Sequence, residues 1–301
     1  MKRLLAIFAL LCLCVPVYAA EKPDILEVIT IDGVIDDGMA AKVTTLVQQI
    51  NENKRAKAVM LEVDSPGGGV LASAVIYEEL AKLKVPVVGF CQNICASGGM
   101  YVLMAPSVKF IGVRTQTISG SIGVIMHITR YNRLLDWARI DSETYKSGDR
   151  KDAGNPNRPV TEDERTLLQD EIKGLADSFY ALVVKSRGAK ITPEHLVDIK
   201  RAGIYFGEGG VKVGLVDQVM TKEAAEAKAK ELSGSKLIFT REEVKKMSKD
   251  SDAPNPYAEA PSDKPSMLEG VYANGQYLMS WLKDIRAGAT VRFEFRAPYA
   301  F

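Results

Sequence analysis

The run Ala58-Val59-Met60-Leu61-Glu62-Val63 ends in Asp64-Ser65-Pro66-Gly67-Gly68-Gly69, and a helical stretch over residues 72–83 follows. A short, nearly unbroken apolar run suits a strand covered on both faces, as in a parallel sheet, better than a strand with one wet face. Pro66 stiffens the turn, and the glycines clear it of side chains. The same design returns downstream. Residues 85–90 form a second apolar strand, Asn93-Ile94-Cys95-Ala96-Ser97-Gly98-Gly99 supplies small residues, and a helix opens near Ser97. Upstream, residues 25–36 read as a strand, and residues 40–53 read as a helix with Val43, Leu46, Val47 and Ile50 at helical spacing. Residues 108–113 make one more strand. This alternation predicts an α/β fold, a domain of repeated strand-helix units on a predominantly parallel sheet.

A long helix is expected from Thr161 to about Arg187. Thr161 and Glu164 form a capping-box pattern, and Leu168, Ile172, Leu175, Phe179 and Leu182 mark its buried face. Thr192-Pro193-Glu194 starts another helix, with His195 facing solvent in its first turn. A polar helix over residues 223–232 and a last strand over residues 236–240 complete the body.

The chain has 301 residues, 39 Lys+Arg against 38 Asp+Glu, and two histidines. The resulting net charge of +1 gives no electrostatic footprint for nucleic acid. At 47% hydrophobic and 26% charged residues the composition is globular, not that of a disordered chain. Two histidines argue against a multi-imidazole metal site and leave few histidine bases.

Met1-Lys2-Arg3, an apolar run from Leu4 to Ala20 and the polar Glu21-Lys22 describe an export leader over residues 1–20, cleaved after Ala19 or retained as a membrane anchor. Either way, residues from Glu21 onward are expected outside the cytoplasm. Cys12 and Cys14 fall in this segment. Cys91 and Cys95 are read as buried core thiols, too far apart to bridge in an extended strand. The body spans residues 21–241. Residues 242–301 are a linker and C-terminal appendage, rich at first in Lys, Asp, Pro and Ser and ending in the apolar Phe295 and Tyr299-Ala300-Phe301.

The two small-residue turns are where chemistry is expected. Glycine-rich turns are common in α/β folds, but two in adjacent units, the second with a serine, point to function. Acyl transfer needs a hydroxyl nucleophile and donors aimed at the developing oxyanion. Ser97 supplies the first, and the amides of Gly68 and Gly98 the second. Val70, Leu71 and Met100 are hydrophobic residues near the two turns and candidates to line a groove. The base is open from the residues alone. His127 lies in the apolar run Val124-Ile125-Met126-His127-Ile128, read as a strand. Tyr145-Lys146-Ser147-Gly148-Asp149-Arg150-Lys151-Asp152 offers two lysines, which serve as bases when desolvated.

Asp64–Gly69, Ala96-Ser97-Gly98-Gly99, Ser119-Gly120-Ser121-Ile122-Gly123-Val124, Lys146-Ser147-Gly148…Lys151-Asp152 and Gly207…Gly214-Leu215-Val216-Asp217 occur in this order. Together they resemble the signal peptide peptidase A family of serine peptidases, which shares its fold with ClpP and the crotonases. The resemblance covers roughly residues 25–219 and implies a Ser-Lys dyad. Ser97 is then the nucleophile, Lys151 the general base and Ser121 the lysine-positioning serine. Gly68 and Gly98 form the oxyanion hole, with Lys146 the second choice of base. Met100 departs from the pattern, which often has an aromatic there. No metal or cofactor is implied. Apolar peptide substrates, such as remnant signal peptides and misfolded exported proteins, are implied, and so is membrane association. The chain holds one such domain, like the short members, whose protomers complete each other's sites in a homo-oligomer. The alternatives are a silent membrane-tethered scaffold and a ClpP-like Ser-His peptidase using His127.

Overall fold

The structure, a computed structural model, describes residues 22–249. The leader over residues 1–20 and all but the start of the appendage, including its apolar end, lie outside the described residues.

In chain order the elements are β1 (Asp24–Asp32), α1 (Asp37–Glu52), β2 (Ala56–Ser65), α2 (Val70–Ala81), β3 (Val87–Ala96), α3 (Gly98–Leu103), β4 (Val108–Val113) and β5 (Ile118–Gly120). Then come α4 (Asn132–Ala138), α5 (Glu162–Arg187), α6 (Pro193–Lys200), β6 (Ile204–Phe206), α7 (Glu208–Lys212), β7 (Gln218–Val219), α8 (Lys222–Leu232), β8 (Ile238–Thr240) and α9 (Arg241–Lys249). The strands form one sheet in the order β6-β5-β3-β2-β1-β8, with β4 pairing to β3 and β7. Every pairing is parallel except β5 with β6. This is the expected α/β architecture.

β2 lies between β1 and β3 and is buried along nearly its whole length, which explains the lack of polar alternation in its sequence. The core has two layers. One holds Val43, Val47, Ile76, Leu80, Met100 and Leu103 from α1, α2 and α3, packed on one sheet face. The other holds Met60, Val88 and Phe90 beneath Ala225 and Ala229 of α8. Asp36 caps α1 by accepting from the Met39 amide at 2.8 Å, and the Thr161–Glu164 capping box closes the start of α5.

At the far end of α5, Arg187 and Asp217 are both buried and ion-paired at 2.7 Å, with Lys190 on the same carboxylate. Asp217 also accepts from the Ile111 amide of β4, so one carboxylate ties α5 to the sheet. Burial pushes its pKa up, but the bonds from Arg187 and Lys190 outweigh burial and leave it below the usual carboxylate range.

Several expectations need correction. Cys91 and Cys95 are not free thiols; they form a disulfide. Five residues of even strand would separate their Cα atoms by about 13 Å. Instead β3 bulges. Val63 of β2 pairs with Cys91, the next pairing is Ser65 with Cys95, and the cysteine Cα atoms come within 5.8 Å. The segment from Val124 to Ile128 is not a strand. Gly120 (φ 104°) and Ser121 (φ 51°) turn the chain off the sheet, and Ile125 is 89% exposed. The buried face of α5 is narrower than its apolar stripe. Phe179 and Val183 are buried, and Phe179 packs edge-on to Tyr101 at 4.9 Å, whereas Leu175 is exposed. His195 does not simply face solvent, because its Nδ1 is enclosed and finds no hydrogen-bond partner among the described residues.

Candidate active site

Ser97 follows the last residue of β3 and precedes α3, with φ 49° and ψ −118°. A residue with a side chain costs about 1–3 kcal/mol in such a conformation, so the surroundings must impose it. They do so from both sides. The Ser97 amide donates to the Gly120 carbonyl and the Ser97 carbonyl accepts from the Tyr101 amide, each at 3.0 Å.

The Asp64–Gly69 turn packs against this one backbone to backbone. A Cβ on Gly67 would fall 2.6 Å from the Gly98 nitrogen and 2.8 Å from the Ser97 Cβ. A Cβ on Gly98 would fall on Ser73 Oγ and within 3.3 Å of the Gly68 nitrogen. Only glycines allow this approach. Within the first turn the Gly67 amide donates to Ser65 Oγ at 3.0 Å and the Gly69 amide to the Ile35 carbonyl at 2.8 Å. The Gly68 amide between them, and the Gly98 amide at the start of α3, find no acceptor among the described residues. Asp64 fixes the bulge of β3 to the first turn, accepting from the Ile94 amide at 3.0 Å and from Asn93. The structure therefore brings Ser97, Gly68 and Gly98 together.

Ser97 and Ser121 line one cavity of about 550 Å³. Gly123, Val124 and Ile125 form a wall beyond Ser121. Ile172, Ala176 and Tyr180 of α5 line the cavity as well, together with Lys200, Arg201 and Ala202. Met100, an expected groove residue, is fully buried in the core, because α3 turns that side chain toward the sheet. Val70 and Leu71 are exposed on the first turn of α2 but do not line this cavity. His127 is exposed, lies near Thr129 Oγ1 at 3.3 Å, and is also absent from the lining.

Lys151 sits on an exposed turn and does not line the cavity of its own chain. Its surroundings separate it from Lys146. The Lys146 ammonium is held by Asp152 at 2.7 Å and by the Asp149 carbonyl at 2.8 Å. Asp152 also accepts from Arg158 at 2.8 Å, and Arg158 pairs with the buried Glu164. The hydrogen bond from Arg158, helped by Lys146 and Asn155, holds the Asp152 carboxyl well below the usual range. Arg158 and the Thr161 amide bring Glu164 down to about 2. Lys146 is thus committed to a network, whereas Lys151 has no carboxylate partner among the described residues.

The sequence reading missed the contribution of α5 and α6 to the cavity. Ile172, Ala176 and Tyr180 recur at four-residue spacing on one face of α5, and of these only Ile172 belongs to the apolar stripe legible in the sequence.

Residues 79–236 match the model of Peptidase family S49, and residues 25–113 match that of Clp protease. A candidate signal peptide peptidase SppA of Enterococcus faecium is 37% identical over 184 residues, 60% of this chain and 52% of its own length. A candidate protease of Methanocaldococcus jannaschii is 38% identical over 191 residues, 62% of this chain and 60% of its own. A candidate protease of Synechocystis sp. is 33% identical over 208 residues, 68% of this chain and 73% of its own. The chain thus spans little more than half the length of the first two relatives. The capsid assembly protease C of phage lambda is 25% identical over 202 residues, 64% of this chain and 45% of its own.

Proposed function

The chain belongs to peptidase family S49, and from that premise we propose that it is a serine endopeptidase working through a Ser97–Lys151 dyad. Ser97 Oγ attacks the carbonyl carbon of the scissile bond while the neutral Lys151 amine takes its proton. The Gly68 and Gly98 amides stabilise the oxyanion of the tetrahedral intermediate. Its C–N bond breaks, and the proton on Lys151 passes to the departing amine. Water, giving its proton to the same lysine, then hydrolyses the acyl ester on Ser97. The Ser121 hydroxyl accepts from the lysine amine and holds it in line.

The observation that carries this reading is the left-handed Ser97 at a strand-to-helix turn, beside two unused amides and in one cavity with Ser121. Because Lys151 does not line the cavity of its own chain, we assign it to the cavity of a neighbouring copy in a homo-oligomer. The likeness to Clp protease and to a capsid assembly protease supports such an assembly. The leader pattern of residues 1–20 supports export and membrane association, with the catalytic body on the extracytoplasmic face. The disulfide agrees with that compartment, because oxidising surroundings keep such bonds closed. The substrates proposed are apolar peptides, among them remnant signal peptides and misfolded exported proteins.

A fluorophosphonate probe is expected to label Ser97, as read by peptide mapping, and Ser97→Ala should lose both labelling and peptide hydrolysis. Hydrolysis retained by Ser97→Ala would remove the nucleophile assignment. Mixing the inactive Ser97→Ala and Lys151→Ala proteins should restore about a quarter of wild-type activity, because one in four pairings across copies keeps both groups. No recovery would confine the dyad to a single chain or move the base elsewhere.

A further inference from the structure

We propose that the Ser97 cavity selects peptides carrying a carboxylate near the apolar segment, with Lys200 and Arg201 as the specificity-determining pair and Lys173 beside them. The inference rests on the peptidase reading of this cavity and names its substrate more closely.

Three cations line the cavity against one carboxylate, Asp177. Among the described residues none of Lys173, Lys200 and Arg201 forms an ion pair, whereas some cations at and just beyond the ends of α5 do. Arg165 pairs with Glu162, and Arg187 and Lys190 share Asp217. Lys200 is also held in place. Its ammonium lies 5.6 Å over the Tyr180 ring, and the Tyr180 hydroxyl donates to the Lys200 carbonyl at 3.2 Å. Arg201 caps α6 and leads into Ala202, at φ 59°. The next carbonyl, of Gly203, accepts from the Ser121 amide at 2.8 Å, so the cationic turn is fastened to the backbone of the active cavity.

Unmatched cations lining a cavity beside apolar side chains concentrate anions there, and a guanidinium meets a carboxylate with two parallel donors. Ile125, Ile172 and Ala176 take the apolar side chains of such a peptide. The carboxylate has two possible sources: the free C-terminus of a peptide already cut once, or an acidic side chain.

The test uses the full-length Ser97→Ala protein, which binds without turnover, and fluorescence anisotropy with three labelled apolar peptides. One ends in a free acid, one is its C-terminal amide, and one is the amide with Glu replacing Gln near the end. The free acid should bind about tenfold tighter than the amide, the sum of two or three solvent-exposed ion pairs, and the preference should shrink as salt rises. In the Lys200→Gln/Arg201→Gln background the ratio should fall to near one. If the Glu peptide matches the free acid, carboxylate selection stands and a side chain serves as the source; if it matches the amide, the C-terminus is the source. Equal binding of all three peptides, no measurable binding of any, or an unchanged ratio in the double variant would overturn the inference. Hydrolysis by the wild-type protein is read separately. A binding preference without hydrolysis would leave the cationic selectivity standing and sink the peptidase reading instead.

Discussion

Replacing Cys91 and Cys95 together by alanine removes the cross-link that closes the bulge of β3, and the loss is calculable. The loop closed is about five residues. Its loop-closure entropy is about 7 cal/mol/K, or about 2 kcal/mol at 25 °C. For a domain of this size about 2–4 °C of Tm accompanies each kcal/mol, so the double variant should melt about 4–8 °C below the oxidised protein. Both sulfurs are fully buried, so a dithiol reaches them only when the chain opens. Wild type unfolded and refolded in excess dithiol therefore serves as a second sample, and it isolates the cross-link from the packing of the two sulfurs. Thermal melts followed by circular dichroism should place both samples below the oxidised protein. The bulge also carries the Asn93 and Ile94 contacts to Asp64, and Ser97 follows two residues after Cys95. Both samples should therefore react more slowly with a fluorophosphonate at 25 °C, where they remain folded. Oxidised and double-variant proteins melting within 1 °C of each other, or two free thiols in the denatured, unreduced protein, would refute this reasoning.

Gly98→Ala should lower kcat by about 10²- to 10³-fold with KM little changed, because the new Cβ meets Ser73 Oγ and forces the two oxyanion amides apart; kcat within threefold of wild type would remove Gly98 from that role. His127→Ala should leave the rate within about threefold, because His127 does not line the Ser97 cavity; a loss of 10²-fold or more, the scale of a general base, would revive a Ser-His mechanism. Asp217→Asn leaves Arg187 buried beside a neutral amide and should cost about 3 kcal/mol or more, read as a Tm lower by about 6 °C or more. The Arg158 network predicts a pH dependence with a fixed sign. Glu164 titrates near 2 in the folded protein, below its unfolded value of about 4.3. Its stabilisation is complete above that unfolded value and is lost as pH falls toward 2. The Tm gap between wild type and Arg158→Gln should therefore be widest near neutral pH and close toward pH 2. A gap independent of pH would refute the linkage.

The long elements were legible because their signals are dense. β2 shows a nearly unbroken apolar run, α1 its helical spacing, and α5 its capping box. β5, β6 and β7 were not, since two or three residues carry no periodicity, and their pairing is decided by distant partners. The bulge of β3 was hidden for a related reason. Cys91 and Cys95 look equally apolar in an even strand and in a bulged one, and only the register against β2 separates the two. Ser97, Gly68 and Gly98 were readable because close backbone approach restricts those positions to small residues. The cavity wall from α5 and α6 was not, because a residue that faces a cavity and one that faces a core share the same helical spacing.

The pairing of β8 with β1 has a consequence for how the chain is made. β1 begins at Asp24, and the outer edge of its first three residues is covered by residues 238–240, with Ser235 bonded to Asp24 and Arg241 to Glu27. The chain leaves the ribosome N-terminus first, so the first described strand waits for the last described one before this part of its edge is paired. Contacts that span so much sequence form slowly, and an open strand edge recruits other chains while it waits. Pairing of this edge therefore waits until residue 240 has been made, and a chain cut short before residue 235 keeps that part of the edge open for as long as it lasts.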